Sequence, residues 1–322
     1  MALLLFAMLR YMTNMPGDPY AGTHQSLSSD EEFLKTQLEE HVFILSYTIG
    51  ERNIWHYERL VTAANYIERV FRNLGYDVAK QEYQTEKVPV WNIAAEIPGS
   101  SRPEEIILVG AHYDSVIGSP GANDNASGVA ALLEMARLMK MTNPSRTIRF
   151  VAFVNEEPPF FHTGDMGSRR YSSFVRARNE NILAMFSLET IGWYSDMQGS
   201  QKYPFPLSWF YPATGNFLAF VGNIPSRSLV HRAIGVFRAK TAFPSEGISA
   251  PGWITGIDWS DHWSFWEEGY PAVMVTDTAL FRYDFYHTAQ DTYEKLNYRS
   301  MAQAVWGISN VVKDLSGSDR LH

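Results

Sequence analysis

Four stretches of this chain run from an apolar segment straight into residues that bind cations. Glu105 to Ala111 leads into His112-Tyr113-Asp114, and Thr147 to Val154 leads into Asn155-Glu156-Glu157. Ile182 to Leu188 ends at Glu189, and Pro271 to Thr276 ends at Asp277 and a loop that carries His287. Between the first two lies Pro120-Gly121-Ala122-Asn123-Asp124-Asn125-Ala126-Ser127-Gly128. Singly, each has an ordinary reading. A Glu-Glu pair after a strand is usually a solvated loop, a lone histidine is more often structural than a ligand, and Asn, Asp, Ser and Gly favour turns and helix caps. Their coincidence at the ends of successive apolar runs is the signal.

Metal-assisted hydrolysis uses such a set: two divalent zinc ions a few ångströms apart, one bridging carboxylate, and a water held between them. Asp124, Glu157 and Glu189 as ligands, with Glu156 as base, would repel one another strongly without metal, and two zinc ions offset that charge. Neighbouring side chains in extended backbone point in opposite directions, so one of Glu156-Glu157 can hold metal while the other reaches the water. Asp114, two residues beyond His112, faces the same way and can accept the imidazole N–H, although an ordinary loop carboxylate accounts for it equally well.

The elements that must position these residues follow from periodicity. Five short apolar runs read as strands: Val88 to Ile97 and the four above. Helical spacing runs through Leu34, Leu38, Val42 and Leu45, through Leu60 to Phe71, and through Gly128 to Met141, Ser168 to Val175 and Ser226 to Arg238. Alternating strand and helix predicts a three-layer α/β/α sandwich around a mixed, mostly parallel sheet. In such sheets ligands bind just beyond the carboxyl ends of the strands, where the four clusters lie.

At 322 residues, 45% of them hydrophobic, the chain is long enough for one large domain. A formal charge of -8 and a pI near 5.6 leave no basic stripe for a phosphate backbone, so nucleic acid is not expected as a partner. The sequence has no cysteine, which removes disulfides, thiolate zinc sites and thiol nucleophiles and leaves His, Asp and Glu as the strong metal ligands. Residues 1–29 read as an N-terminal leader and loop, with Ser29 or Asp30 capping a helix from near Glu31, and residues 30–317 as the working domain. Ala2 to Met8 is apolar but too short to span a bilayer. It reads equally as the remnant of an export signal or anchor, which would imply an extracytoplasmic location, or as part of the fold; membrane association and oligomeric state stay open.

Five blocks in order carry a resemblance: Ala111-His112-Tyr113-Asp114-Ser115, Gly121 to Gly128, Asn155-Glu156-Glu157, Glu189-Thr190-Ile191-Gly192, and Tyr286-His287-Thr288-Ala289-Gln290-Asp291-Thr292. Over roughly Glu31 to Leu315 the chain resembles the M28 family of zinc peptidases, the bacterial aminopeptidases related to glutamate carboxypeptidase and the transferrin receptor ectodomain. The resemblance implies two zinc ions per chain, with His112 and Glu189 on one, Glu157 and His287 on the other, and Asp124 bridging. It implies Glu156 as general base on a water at the metals, peptides as substrates, and Tyr286 where the family often has a tyrosine that can hydrogen-bond the developing oxyanion. An aromatic packed beneath a loop is the other reading of Tyr286. Where this chain has Glu189 the family usually has Asp, so this carboxylate must reach the same ion from a displaced backbone or bind it with altered geometry.

Two other functions fit parts of the pattern. A glutaminyl cyclase, a related single-zinc acyltransferase, also has a His-Tyr-Asp-Ser-like block and a Glu-Glu pair, but the complete Asn123 to Gly128 block and ligands for two metals argue against it. A non-catalytic binding domain of the same fold would be expected to have lost ligands or base. The aromatics of Tyr203 to Tyr211, with Trp253, Trp259, Trp263 and Trp266, read more readily as core than as pocket lining. The stretch from Gln198 to Ala213 reads as an insertion or wall, and Ser260-Asp261-His262-Trp263 as near the site or as a buried hydrogen-bonded turn.

Overall fold

The computed structural model describes residues 2–22 and 25–317. Eight strands form one sheet: β1 (Val78–Thr85), β2 (Val88–Ile97), β3 (Arg102–His112), β4 (Arg146–Phe153), β5 (Asn181–Glu189), β6 (Leu218–Gly222), β7 (Ser245–Ser249) and β8 (Ala272–Thr276). Their spatial order is β1-β2-β4-β3-β5-β8-β6-β7. The pairs β3–β4, β3–β5, β5–β8 and β6–β7 are parallel, whereas β1–β2, β2–β4 and β6–β8 are antiparallel. The parallel centre β4-β3-β5-β8 is flanked by antiparallel pairs, and this is the mixed α/β architecture that the alternation predicts.

The order β4-β3-β5 reverses the direction of winding, and that reversal places the connecting helices on opposite faces. Helix α4 (Gly128–Met139), between β3 and β4, packs with α2 (Ser29–Phe43), α3 (Tyr57–Asn73), α6 (Arg227–Lys240) and α9 (Tyr298–Gly317) on one face, around Ile107, Val109, Phe186 and Val275. Helix α5 (Gly167–Ala177), between β4 and β5, lies with α7 (His262–Glu267) on the other face, against Leu108, Val151 and Met185. Strands β3, β4, β5 and β8 are apolar on both faces because both are covered. Periodicity does not reveal β1, β6 and β7. They are short or lie at the edge of the sheet, and Ser245-Glu246-Gly247-Ile248-Ser249 carries little strand-forming residue character.

Helix α2 begins one residue earlier than expected. Ser28, and not Ser29 or Asp30, is its cap, with Glu31 returning a carboxylate to the Ser28 backbone N–H to close a capping box. Ahead of it, Ala2–Thr13 forms helix α1, whose Leu9 and Met12 are buried with Phe217 and Ile248 beside β6 and β7. Among the described residues no helix is long and apolar enough to cross a membrane.

Close approach governs the junction beside β5. Gly128, the first residue of α4, lies so near the end of that strand that a Cβ would overlap the carbonyl oxygen of Leu188 and the side-chain oxygen of Asn125. Helix propensity alone favours Ala over Gly by about 1 kcal/mol, but overpacking against backbone costs about 1–3 kcal/mol. Gly128→Ala is therefore expected to lower the unfolding free energy by up to about 2 kcal/mol in urea titrations; a stabilised variant would show that the helix can move away freely.

Candidate metal centre

The carboxyl ends of β3, β4 and β5 and the loops after them converge on one buried cluster. His112, the last residue of β3, is completely enclosed, and its Nε2 lies 3.2 Å from Asp124 Oδ1 and 3.3 Å from Glu189 Oε2. His287, on the loop beyond β8, has its Nε2 2.9 Å from Asp124 Oδ2 and 3.3 Å from Glu157 Oε2. Asp124 thus divides its two oxygens between two half-sites, His112 with Glu189 and His287 with Glu157. In each the candidate ligand atoms lie within 4.8 Å of one another. Glu156 stands beside the first half-site, its Oε2 3.9 Å from His112 Nε2. Every residue singled out from the sequence as ligand or base is in this cluster.

The donor set fits a divalent cation. Both ring nitrogens of His112 and Oδ1 of Asp124 are buried without a hydrogen bond, an expensive condition for atoms that nothing else engages. Two imidazoles and carboxylate oxygens, with no thiolate, suit zinc. Residue Glu189 reaches His112 despite its extra methylene. Its Oε2 accepts from Ser260 Oγ at 2.7 Å, and Ser260 is in turn 2.8 Å from Ser187 Oγ on β5.

Backbone hydrogen bonds hold the ligands in register. The carboxylate of Asp114 accepts the N–H groups of Glu156 and Glu157 at 3.1 and 3.2 Å. It lies 3.6 Å from His112 Nδ1, beyond hydrogen-bond length, so in this structure it fixes the Glu-Glu turn rather than the imidazole. Asp291 accepts the N–H groups of Asn123 and Asp124 and the hydroxyl of Tyr283. Asp277, the acid after β8, is a brace and not a ligand, accepting from Asn123 Nδ2 and the Trp193 N–H. Asn125 donates to the Leu188 carbonyl and accepts from the N–H groups of Gly128 and Thr190, tying the bridging loop to the end of β5.

Sequence reasoning missed Arg52. Fully buried, it donates from Nε to the Tyr113 carbonyl at 2.7 Å, from Nη1 to Pro120 at 2.5 Å and from Nη2 to Gly121 at 2.8 Å. It clamps the His112 segment to the Asp124 loop, and no pattern near residue 52 signals a contact across more than sixty residues. Burial lowers its pKa to about 10, opposed by Asp114, Asp291, Asp124 and Glu157, for which it is a nearby compensating charge. Asp261 is also buried against the cluster, and burial pushes its carboxyl up to about 7. His262 turns away, bonding Ile257 O at 2.8 Å. Tyr286 stacks on His287 with ring centroids 3.9 Å apart, and the carboxylates Asp124, Glu157, Glu189 and Glu156 add to burial in raising its pKa.

Beside Glu189 and Tyr286 opens a pocket walled by Tyr203, Leu207 and Tyr211 of the expected insertion and by Trp259. Tyr203 and Tyr211 both line the pocket and pack against the hydrophobic cluster of Leu207, Phe217 and Ile248, so the expectation of core holds for them in part. Trp253 is exposed, Trp263 stacks near His162, and Trp266 packs partly buried against the core.

Burial dominates the electrostatics. It pushes the Glu157 carboxyl up to about 7, with Asp124 adding and His287 opposing, and it raises Glu156 and Glu189 as well. Burial likewise opposes charging of His287, yet hydrogen bonds to Asp124 and Glu157 carry it up to about 11. Burial would raise Asp124 too, but His112 and His287 hold it below its ordinary value.

A family model described as Peptidase family M28 matches residues 92–312. The protein YfbL of Escherichia coli (strain K12) is 39% identical over 281 residues, 84% of this chain and 85% of YfbL. Aminopeptidase YwaD of Bacillus subtilis (strain 168) is 39% identical over 101 residues, 31% of this chain and 21% of YwaD. Among solved structures, BSAP, a zinc aminopeptidase from Bacillus subtilis, superposes with a TM-score of 0.72 over 89% of this chain and 96% of its own, at 16% identity, a likeness of fold alone.

Stability of the metal-free protein should respond to pH with a definite sign. A carboxyl raised in the folded state keeps its proton where the unfolded chain has lost it, so stability falls as pH rises through the window between the two values. For Glu157 that window runs from 4.5 to about 7, and each such group contributes a fall of about 1.4 kcal/mol per pH unit inside its window. Metal-free protein is expected to melt at lower temperature at pH 8 than at pH 5.5. Zinc should raise the melting temperature more at the higher pH, because His287 and the acids must be deprotonated to bind. Equal zinc shifts at both pH values in thermal scans would contradict this.

Proposed function

The chain belongs to peptidase family M28, and on that premise we propose that it is an aminopeptidase with two zinc ions per chain and Glu156 as general base. It is a zinc metallopeptidase by family; the ion count, the base and the exopeptidase action are the proposal. The observation that carries it is the division of Asp124 between His112 and His287. His112 with Glu189 would hold one ion and His287 with Glu157 the other, Asp124 lending one oxygen to each. A single-zinc acyltransferase has no use for this second, equally complete half-site.

Zinc would supply neutralisation of the carboxylates, polarisation of the scissile carbonyl and acidification of the attacking water. Glu156 is placed to take a proton from that water as its oxygen joins the carbonyl carbon. It then gives the proton to the amide nitrogen as the C–N bond breaks, releasing a free amino acid and a shortened peptide. Asp114 keeps Glu156 and Glu157 on their separate tasks by holding both backbone N–H groups. Tyr286, stacked on His287 and near enough to the same acids for them to raise its pKa, would donate its hydroxyl to the oxyanion. The pocket that adjoins Glu189 and Tyr286 would take the side chain of an N-terminal residue.

Metal analysis paired with an aminoacyl-arylamide panel tests the reading. Two zinc ions per chain and hydrolysis are expected, and Glu156→Gln should lose about 10²–10⁴-fold in kcat with its metal content intact. One zinc per chain, with cyclisation of N-terminal glutamine and no hydrolysis, would replace it with the acyltransferase. No turnover by the zinc-loaded protein, with Glu156→Gln changing nothing measurable, would leave a binding domain.

A further inference from the structure

The strand register continues the metal centre into the pocket. Glu189 pairs with Thr276, Thr276 with Ala219, and Ala219 with Glu246, one residue from each of β5, β8, β6 and β7. Directly paired residues point to the same face of a sheet, so these four side chains form a row across three strand spacings, roughly 14 Å. The pocket lies over this row, and both acids line it. Tyr203, Leu207, Tyr211, Phe217, Ile248 and Met274 make its walls apolar, and among the described residues no lysine, arginine or histidine lines it.

Glu246 has no stated role in the chemistry and makes no hydrogen bond among the described residues. Its one ionic neighbour is Arg238, whose Nη2 stands 3.7 Å from Oε2, outside hydrogen-bond length. The Arg238 guanidinium is engaged elsewhere, with the carbonyls of Pro16, Gly17 and Ser245 and the Ser245 hydroxyl. Glu246 lines the pocket, and burial pushes its carboxyl up to about 7, with Arg238 opposing. Tyr203 and Tyr211, stacked with centroids 5.6 Å apart, stand close enough for the Glu246 charge to raise their pKa further, and their faces suit a cation.

We propose that Glu246 is a specificity-determining residue at the far end of this pocket, and that the pocket takes an N-terminal side chain with an apolar stem and a cationic tip, lysine or arginine. The inference rests on the aminopeptidase reading for where the substrate's first side chain goes, and on the sheet register for what it meets there. An aliphatic or aromatic side chain would fill the walls but bring no donor to a carboxylate whose one ionic neighbour, Arg238, stands beyond hydrogen-bond length, an arrangement that discriminates against a neutral substrate.

Citrulline, the neutral isostere of arginine, isolates the charge. With zinc-loaded wild type, kcat/KM for arginyl arylamide should exceed that for citrullyl arylamide by roughly tenfold or more, and Glu246→Gln should collapse that ratio to within about twofold. A wild-type ratio near one, a ratio unchanged in Glu246→Gln, or a preference for leucyl over arginyl arylamide would overturn the proposal. If no arylamide is hydrolysed, the aminopeptidase reading fails by itself. Calorimetric affinities of the same proteins for argininamide and citrullinamide then decide Glu246 independently, a preference for argininamide that Glu246→Gln abolishes supporting it and equal affinities refuting it.

Discussion

The structure turns on like-charge repulsion in a dry place. Asp114, Asp124, Glu156, Glu157, Glu189 and Asp261 are all buried around two imidazoles. Burial alone drives most of these carboxyls toward the neutral form, as the raised Glu156, Glu157, Glu189 and Asp261 show. A chain that needed only stability would have no reason to gather them, since apolar residues of similar volume would be cheaper. What makes the gathering tolerable is compensation at several distances: His112 and His287 in contact, backbone N–H groups aimed at Asp114 and Asp291, and the buried guanidinium of Arg52 behind them.

The fold meets this constraint by dividing labour between strands and loops. Strands β3, β4 and β5 are covered on both faces and therefore rigid, and they deliver His112, the Glu156-Glu157 turn and Glu189 to one edge. The remaining candidate ligands, Asp124 and His287, come from loops, where irregular backbone needs external support. Asp291 provides it by accepting the Asn123 and Asp124 N–H groups, Asp277 by accepting from the Asn123 side chain, and Asn125 by donating to the Leu188 carbonyl at the end of β5. Charged residues that look like spare ligands in the sequence are thus the frame around the candidate ligands.

The same sheet links chemistry to selectivity. The reversal of winding leaves the face beyond β8 covered by the 201–211 segment and helix α1 in place of a long packed helix, and the gap beneath is the pocket. One residue per strand then carries the row from Glu189 to Glu246, so a carboxylate of the buried cluster and a carboxylate at the far end are set at a distance determined by strand spacing rather than by loop conformation.

The sequence by itself determined the layer architecture and all the candidate ligands, because both are local. An apolar run that ends in His, Glu-Glu or Glu marks a strand and its carboxyl edge without knowledge of any other segment, and the Gly121 to Gly128 block marks its own turn. It underdetermined the edge strands β1 and β7, whose positions relax the apolar pattern, the five-residue β6, too short to stand out, and the N-terminal helix, whose Leu9 and Met12 find partners more than two hundred residues away. Only the tertiary structure decided that Asp124 faces two histidines at once, that Asp114 supports the Glu-Glu turn while Asp277 braces the bridging loop, and that Arg52 clamps the site from behind. Each of these depends on atoms brought within about 4 Å from distant parts of the chain, and such contacts are set by how helices and strands pack, which no spacing along the sequence encodes.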